Sequence, residues 1–128
     1  MKIEHIAIWA ENIELLRQFY MTYFKVNCSE KYENPKRNYT SYFLSFGEDK
    51  TRIELMHIPA MENPVSRGSL RGLAHLAISL GEKNAVDALT EKLRKDGYPI
   101  ASEPRTTGDG YYESVILDPE GNYIELVV

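Results

Sequence analysis

Two kinds of hydrophobic spacing take turns along the chain. Residues 3–9 alternate, with Ile6 and Ile8 on one side and His5, Ala7 and Trp9 on the other, which is the period-two pattern of a half-buried strand. After Asn12, a side chain suited to capping a helix, the period changes. Ile13, Leu16, Tyr20, Tyr23 and Phe24 recur at helical spacing and predict a helix ending near Phe24. Strand-like runs follow at residues 31–32, 39–46 and 51–57, the last two joined by the turn "GEDK" at 47–50.

The same order then recurs. In residues 73–80, Leu76, Ile78 and Leu80 stand opposite His75, Ala77 and Ser79. Asn84 is the expected cap of a second helix with Val86, Leu89 and Leu93 as its apolar stripe, and Gly97 suits its left-handed stop. Strand runs at 100–102, 111–117 and 123–128 complete the half. The turn "DPEGN" joins the last two, with Pro119 at its second position and Gly121 as its left-handed residue. Each half therefore reads β-α-β-β-β. Residues 59–71, with Pro59, Pro64, Gly68 and "SRGSLRG", link a module at 1–58 to one at 72–128.

The repetition extends to particular residues. "IEHIAI" at 3–8 matches "LAHLAI" at 73–78, an offset of 75 − 5 = 70 for the His residues. "RIELM" at 52–56 matches "YIELV" at 123–127, an offset of 125 − 54 = 71 for the Glu residues. Two motifs recurring in one order and at one spacing indicate duplication, which neither motif alone would do.

Composition narrows the setting. With 128 residues, 43% hydrophobic and 27% charged, the chain is of ordinary globular composition and long enough for one domain or two small modules. A net charge of −4 with dispersed Lys and Arg gives no basic stripe for nucleic acid. No apolar run approaches the roughly 20 residues that span a bilayer, and the N-terminal segment lacks the pattern of a signal peptide. The single cysteine, Cys28, excludes an intrachain disulfide and a multi-Cys zinc site, and fits a cytoplasmic protein.

The candidate chemistry lies in the repeated His and Glu residues. By alternation, His5 points away from Ile6 and Ile8, Glu54 away from Ile53 and Leu55, and Glu125 away from Ile124 and Leu126. All four polar residues, His75 included, thus fall on the sheet face away from the helix. A mid-strand carboxylate among apolar neighbours is costly to bury unless it is paired or bound to a metal. Two imidazoles and two carboxylates suit a divalent ion such as Zn²⁺, Ni²⁺, Co²⁺, Mn²⁺ or Fe²⁺. Such an ion, with open coordination positions, polarises a carbonyl and stabilises an enediolate while a carboxylate moves the proton. His57, one residue beyond the strand pattern, reads as a surface residue.

Three segments carry a family resemblance: "EHIAIWAENIELLRQFY", "GLAHLAIS" and "DGYYESVILDPEGNYIEL". Together they resemble the vicinal oxygen chelate superfamily, and the His, Glu, His, Glu order is similar to bacterial glyoxalase I. The resemblance implies an α+β fold of paired βαβββ modules whose eight strands form an open cup around a metal. It implies His5, Glu54, His75 and Glu125 as ligands, with Glu125 the first candidate for the catalytic base and Glu54 the second. The implied reaction isomerises a thiol–methylglyoxal hemithioacetal to a hydroxyacyl thioester. Trp9, Arg52, Arg105 and Tyr112 are candidates for substrate contact, with Tyr42, Thr106 and Thr107 as further possibilities. Where bacterial glyoxalase I carries an Arg near the end of its first strand, this chain has Trp9, which speaks against glutathione as the thiol.

Two alternatives accompany this reading. One is a non-catalytic protein that binds a drug or metabolite, of the bleomycin-resistance type. The other is an epimerase or thiol transferase of the same fold. The resemblance also implies a homodimer, with a site built within one chain or across two.

Overall fold

The duplicated pattern folds into two units, residues 1–63 and 64–128, each with a helix against one face of a mixed sheet. The structure is a computed structural model and describes residues 1–48, 51–60, 68 and 71–128. The end of the "GEDK" turn and most of the expected linker lie outside the described residues.

In the first unit, β1 (His5–Trp9) leads into α1 (Ile13–Phe24), followed by β2 (Asn27–Cys28), β3 (Tyr32–Asn34), β4 (Tyr39–Ser45) and β5 (Arg52–His57). The strand order is β1-β5-β4-β2, with β3 also paired to β4, and β1 runs parallel to β5. Asn12 caps α1 as expected, its Oδ1 accepting the amide of Leu15 at 3.0 Å. In place of eight strands the described residues hold nine, because the second strand of this unit is broken into β2 and β3. Between them, Ser29 keeps contact with β4: its amide donates to the Phe43 carbonyl and its hydroxyl accepts the Phe43 amide, both at 2.9 Å.

The second unit runs β6 (Leu76–Ser79), α2 (Lys83–Lys95), β7 (Ile100–Thr106), β8 (Tyr112–Leu117) and β9 (Tyr123–Val127) in the order β6-β9-β8-β7. Here the strand is shorter than residues 73–80, and His75 sits just before it. The helix cap is Glu82, not Asn84, and its side chain makes no capping bond. At the other end Gly97 takes φ +89°, with its amide on the Arg94 carbonyl and that of Tyr98 on the Leu93 carbonyl, the paired bonds of a Schellman stop. β7 runs on through Pro104 to Thr106, a stretch expected to be partly loop. It is an edge strand with register shifts beside Ser102, where a residue without an amide hydrogen is tolerated.

In each unit the helix covers the aliphatic face. Leu16, Phe19 and Tyr20 of α1 are buried with Ile8, Leu44, Ile53 and Leu55, and Val86 and Leu93 of α2 with Ile116, Ile124 and Leu126. The stripe of α2 includes Thr90 where Leu89 was expected. Thr90 is fully buried because its hydroxyl is satisfied twice, by the Val86 carbonyl and by the Ser114 hydroxyl, both at 2.7 Å. The "DPEGN" turn is held by Asp118, whose carboxylate accepts the amides of Glu120 and Asn122 at 3.0 and 2.9 Å, and Gly121 supplies φ +79°.

The helix-facing side also claims two tyrosines expected on the other face. Tyr42 donates its hydroxyl to Glu14 of α1 at 2.9 Å, and Tyr112 donates to Asp87 of α2 at 2.6 Å. The Asp87 bond, with burial, raises the Tyr112 hydroxyl above the ordinary tyrosine value, so this tie is fully present at neutral pH and fails as pH climbs past the tyrosine range.

Leu16→Ala and Leu126→Ala are each expected to cost about 2–5 kcal/mol in urea unfolding, whereas exposed Leu15→Ala stays within about 0.5 kcal/mol. Tyr42→Phe is expected to cost about 1 kcal/mol by the same measurement, since it removes the donor to a carboxylate and leaves the ring in place.

Candidate metal centre

The uncovered face of the first unit is built by register. Ala7 lies beside Glu54, which lies beside Phe43, and His5 is two residues before Ala7 on the same face. The small Ala7 leaves room for the imidazole to lean toward the carboxylate. His5 Nε2 is 3.7 Å from Glu54 Oε2, and the His5 ring meets Phe43 edge-on at 5.5 Å between centroids. On the other side of the ring, Nδ1 pairs with the Glu4 carboxylate, whose second oxygen takes Arg52. These bonds from His5 and Arg52 hold the Glu4 carboxyl below its usual range.

Glu54 is the less exposed member, with 14% of its side chain accessible against 40% for His5. Its Oε1 accepts the Tyr39 hydroxyl at 2.8 Å. Burial first, and the carboxylate it faces, raise the Tyr39 hydroxyl above the ordinary tyrosine value, so it stays a donor at any physiological pH.

The second unit repeats the arrangement. Ala77 lies beside Glu125, and His75 Nε2 is 3.3 Å from Glu125 Oε2. The exposures are again unequal, 44% for His75 and 19% for Glu125. On the same face Arg105 approaches Glu113 at 3.6 Å and donates to Ser102 at 3.1 Å.

Two donors on one ion, each bound at about 2.1 Å, lie roughly 3.0–3.4 Å apart at octahedral or tetrahedral angles. The 3.3 Å pair already meets that spacing, and the 3.7 Å pair needs a shift of a few tenths of an ångström. Imidazole nitrogen with carboxylate oxygen is also the right donor chemistry for a borderline divalent ion. Among the described residues no group of three or more potential ligands gathers, and each unit brings together one His and one Glu.

The other expected residues divide. Trp9 stands on the Glu54 face, 37% exposed and edge-on to Tyr39 at 6.3 Å. Arg52 is on that face too, but its guanidinium is paired with Glu4 and lies 4.0 Å over the Phe43 ring. Arg105 shares the Glu125 face and is paired with Glu113. Tyr112 and Tyr42 do not belong with them, because both point to the helices. His57 is half-buried, not a surface residue; its Nδ1 bonds the Ala10 carbonyl at 2.8 Å. Three residues went unread in the sequence: Tyr39, Glu4 and Glu113. β4, "YTSYFLS", carries aromatic residues on both faces, so its pattern does not say which tyrosine faces Glu54.

The residues that form these pairs lie within a longer match. The model of the Glyoxalase/Bleomycin resistance protein/Dioxygenase superfamily matches residues 2–126. The uncharacterized protein YqjT of Bacillus subtilis (strain 168) is 29% identical over 131 residues, covering 98% of this chain and 97% of that protein. Lactoylglutathione lyase GLX1 of Arabidopsis thaliana is 26% identical over 126 residues, covering 96% of this chain and 42% of that protein. The chain thus spans less than half the length of this relative. Among solved structures, the trypanothione-dependent glyoxalase I of Leishmania major is similar with a TM-score of 0.78 and 25% identity, covering 99% of this chain and 86% of that one. With the paired α+β units and the extent of the family match taken together, the chain belongs to the Glyoxalase/Bleomycin resistance protein/Dioxygenase superfamily.

Proposed function

We propose that the protein is a metal-dependent lyase of the glyoxalase I type, converting a thiol–methylglyoxal hemithioacetal into a hydroxyacyl thioester. The observation that carries this reading is the His–Glu pair on the uncovered face of each unit, at 3.7 Å in the first and 3.3 Å in the second. His5, Glu54, His75 and Glu125 would together hold one divalent ion, Ni²⁺ or Zn²⁺ foremost, with the halves drawn from one chain or from two chains of a homodimer. When bound, the ion supplies polarisation of the substrate carbonyl and stabilisation of the negative charge left by proton removal.

The protein's own groups handle the proton. Glu125, which has no hydroxyl donor among the described residues, takes the proton from the carbon bearing sulfur and returns it to the adjacent carbon. No atoms are gained or lost, so the reaction needs no oxidant. Glu54, held by Tyr39, is the second candidate for this role. Trp9 and the paired states of Arg52 and Arg105 favour a thiol other than glutathione, because neither guanidinium is free to meet a substrate carboxylate.

A second reading has one observation in its favour. Trp9, Tyr39 and Tyr32 meet edge-on at 6.3 and 6.1 Å in the first unit, an aromatic patch fit to hold a flat drug or metabolite without chemistry.

The test is metal analysis, then assay of the metal-free protein with Ni²⁺, Zn²⁺, Co²⁺ and Mn²⁺ on methylglyoxal with a panel of thiols. Turnover is expected with at least one pairing, and Glu125→Gln is expected to lower kcat by roughly 10²–10⁴-fold. Glu54→Gln and His75→Ala should each reduce bound metal. Affinity for the ion should fall on acidification, because a protonated imidazole cannot ligate. No turnover with any pairing sinks the lyase reading, and metal content unchanged in both variants sinks the ligand assignment.

A further inference from the structure

We propose that Tyr39 is a positioning residue that fixes Glu54 as a ligand, making the His5–Glu54 pair the preformed half of the metal centre. This rests on the metal-centre reading above. A glutamate carboxylate rotates easily about its last torsion, which has broad and roughly two-fold preferences. The Tyr39 hydroxyl on Oε1 at 2.8 Å removes that freedom and leaves Oε2 as the oxygen facing His5 Nε2. Tyr39 is itself held, by edge contacts with Trp9 on one side and Tyr32 on the other. The imidazole is fixed in parallel, since Glu4 occupies Nδ1 and so reserves Nε2 for the ligand position.

Among the described residues the second unit lacks both devices. Ala74 stands where the repeat has Glu4. The partner of Glu54 across the sheet is Phe43 and that of Glu125 is Val115, so the counterpart of Tyr39, four residues before Phe43, is Tyr111. Tyr111 is 59% exposed, and among the described residues Glu125 is paired with His75. The duplicated ligands therefore have unequal support. One carboxylate is clamped, and the other is free to change its partner. A ligand held in place before the ion arrives loses less freedom on binding, which raises affinity.

The test measures binding, not turnover. Wild type, Tyr39→Phe, Tyr111→Phe, Glu54→Gln and the Tyr39→Phe/Glu54→Gln double variant are stripped of metal. Their Zn²⁺ and Ni²⁺ dissociation constants are then measured by competition with a chromophoric chelator, with circular dichroism to check the fold. Tyr39→Phe keeps the ring and its edge contacts, and is expected to weaken binding by roughly 10–100-fold. Tyr111→Phe should match wild type. In the Glu54→Gln background the Tyr39 change should add nothing further, because the two act as one unit. Wild-type affinity in Tyr39→Phe overturns the proposal, and so does an equal loss with and without Glu54, which marks Tyr39 as a packing residue only. Failure of wild type to bind either ion removes the metal reading and this proposal with it, and is recognised by its appearance before any variant is made.

Discussion

The apolar seam between each helix and the aliphatic face of its sheet is the constraint on which the rest of the protein depends. Leu16, Phe19 and Tyr20 close over Leu44, Ile53 and Leu55 in one unit, and Val86 and Leu93 close over Ile116, Ile124 and Leu126 in the other. Burying one face of a strand commits every second residue to the opposite face. The His and Glu residues are carried to a common face for that reason, without any attraction between them. A one-residue slip in β5 or β9 would put Glu54 or Glu125 under a helix, where an ionised carboxylate has no compensating partner. The same seam uses the polar ends of Tyr42 and Tyr112 to tie sheet to helix, which removes them from the uncovered face.

On that face the carboxylates are more enclosed than the imidazoles, 14% and 19% accessible against 40% and 44%. Enclosure makes charge expensive, so each carboxylate needs a partner. In both units a histidine supplies one, reached across an alanine small enough to let the ring approach. Carboxylate and imidazole are thereby held side by side, 3.7 Å apart in the first unit and 3.3 Å in the second.

Duplication left the halves alike in frame and different in detail. The first has its second strand broken at residues 29–31, a carboxylate at position 4 and a tyrosine turned toward Glu54 at position 39. The second has a continuous edge strand with a bulge, an alanine at position 74 and an exposed Tyr111. The divergence lies in the residues around the His–Glu pairs more than in the pairs. Shared membership of a superfamily that includes lyases, dioxygenases and resistance proteins is consistent with this, because a common frame does not by itself determine the chemistry at its surface.

Much of the frame was legible in the sequence because it rests on periodicity. The two βαβββ halves, the cap at Asn12, the stop at Gly97 and the turn at Gly121 all follow from rules that act over a few residues. The common face of His5 and Glu54, and of His75 and Glu125, follows from alternation in the same way. What alternation cannot supply is the partner of a side chain. Residues 39–45 read as a strand on either register, so only the pairing of β4 with β5 turned Tyr39 toward Glu54 and Tyr42 toward α1. The pairing of Arg52 with Glu4 and of Arg105 with Glu113 was equally invisible, since the partners are 48 and 8 residues apart in the chain and meet only across strands. The sequence by itself determined which residues share a face; the tertiary structure decided which of them touch, because contact depends on register between strands that no local pattern encodes.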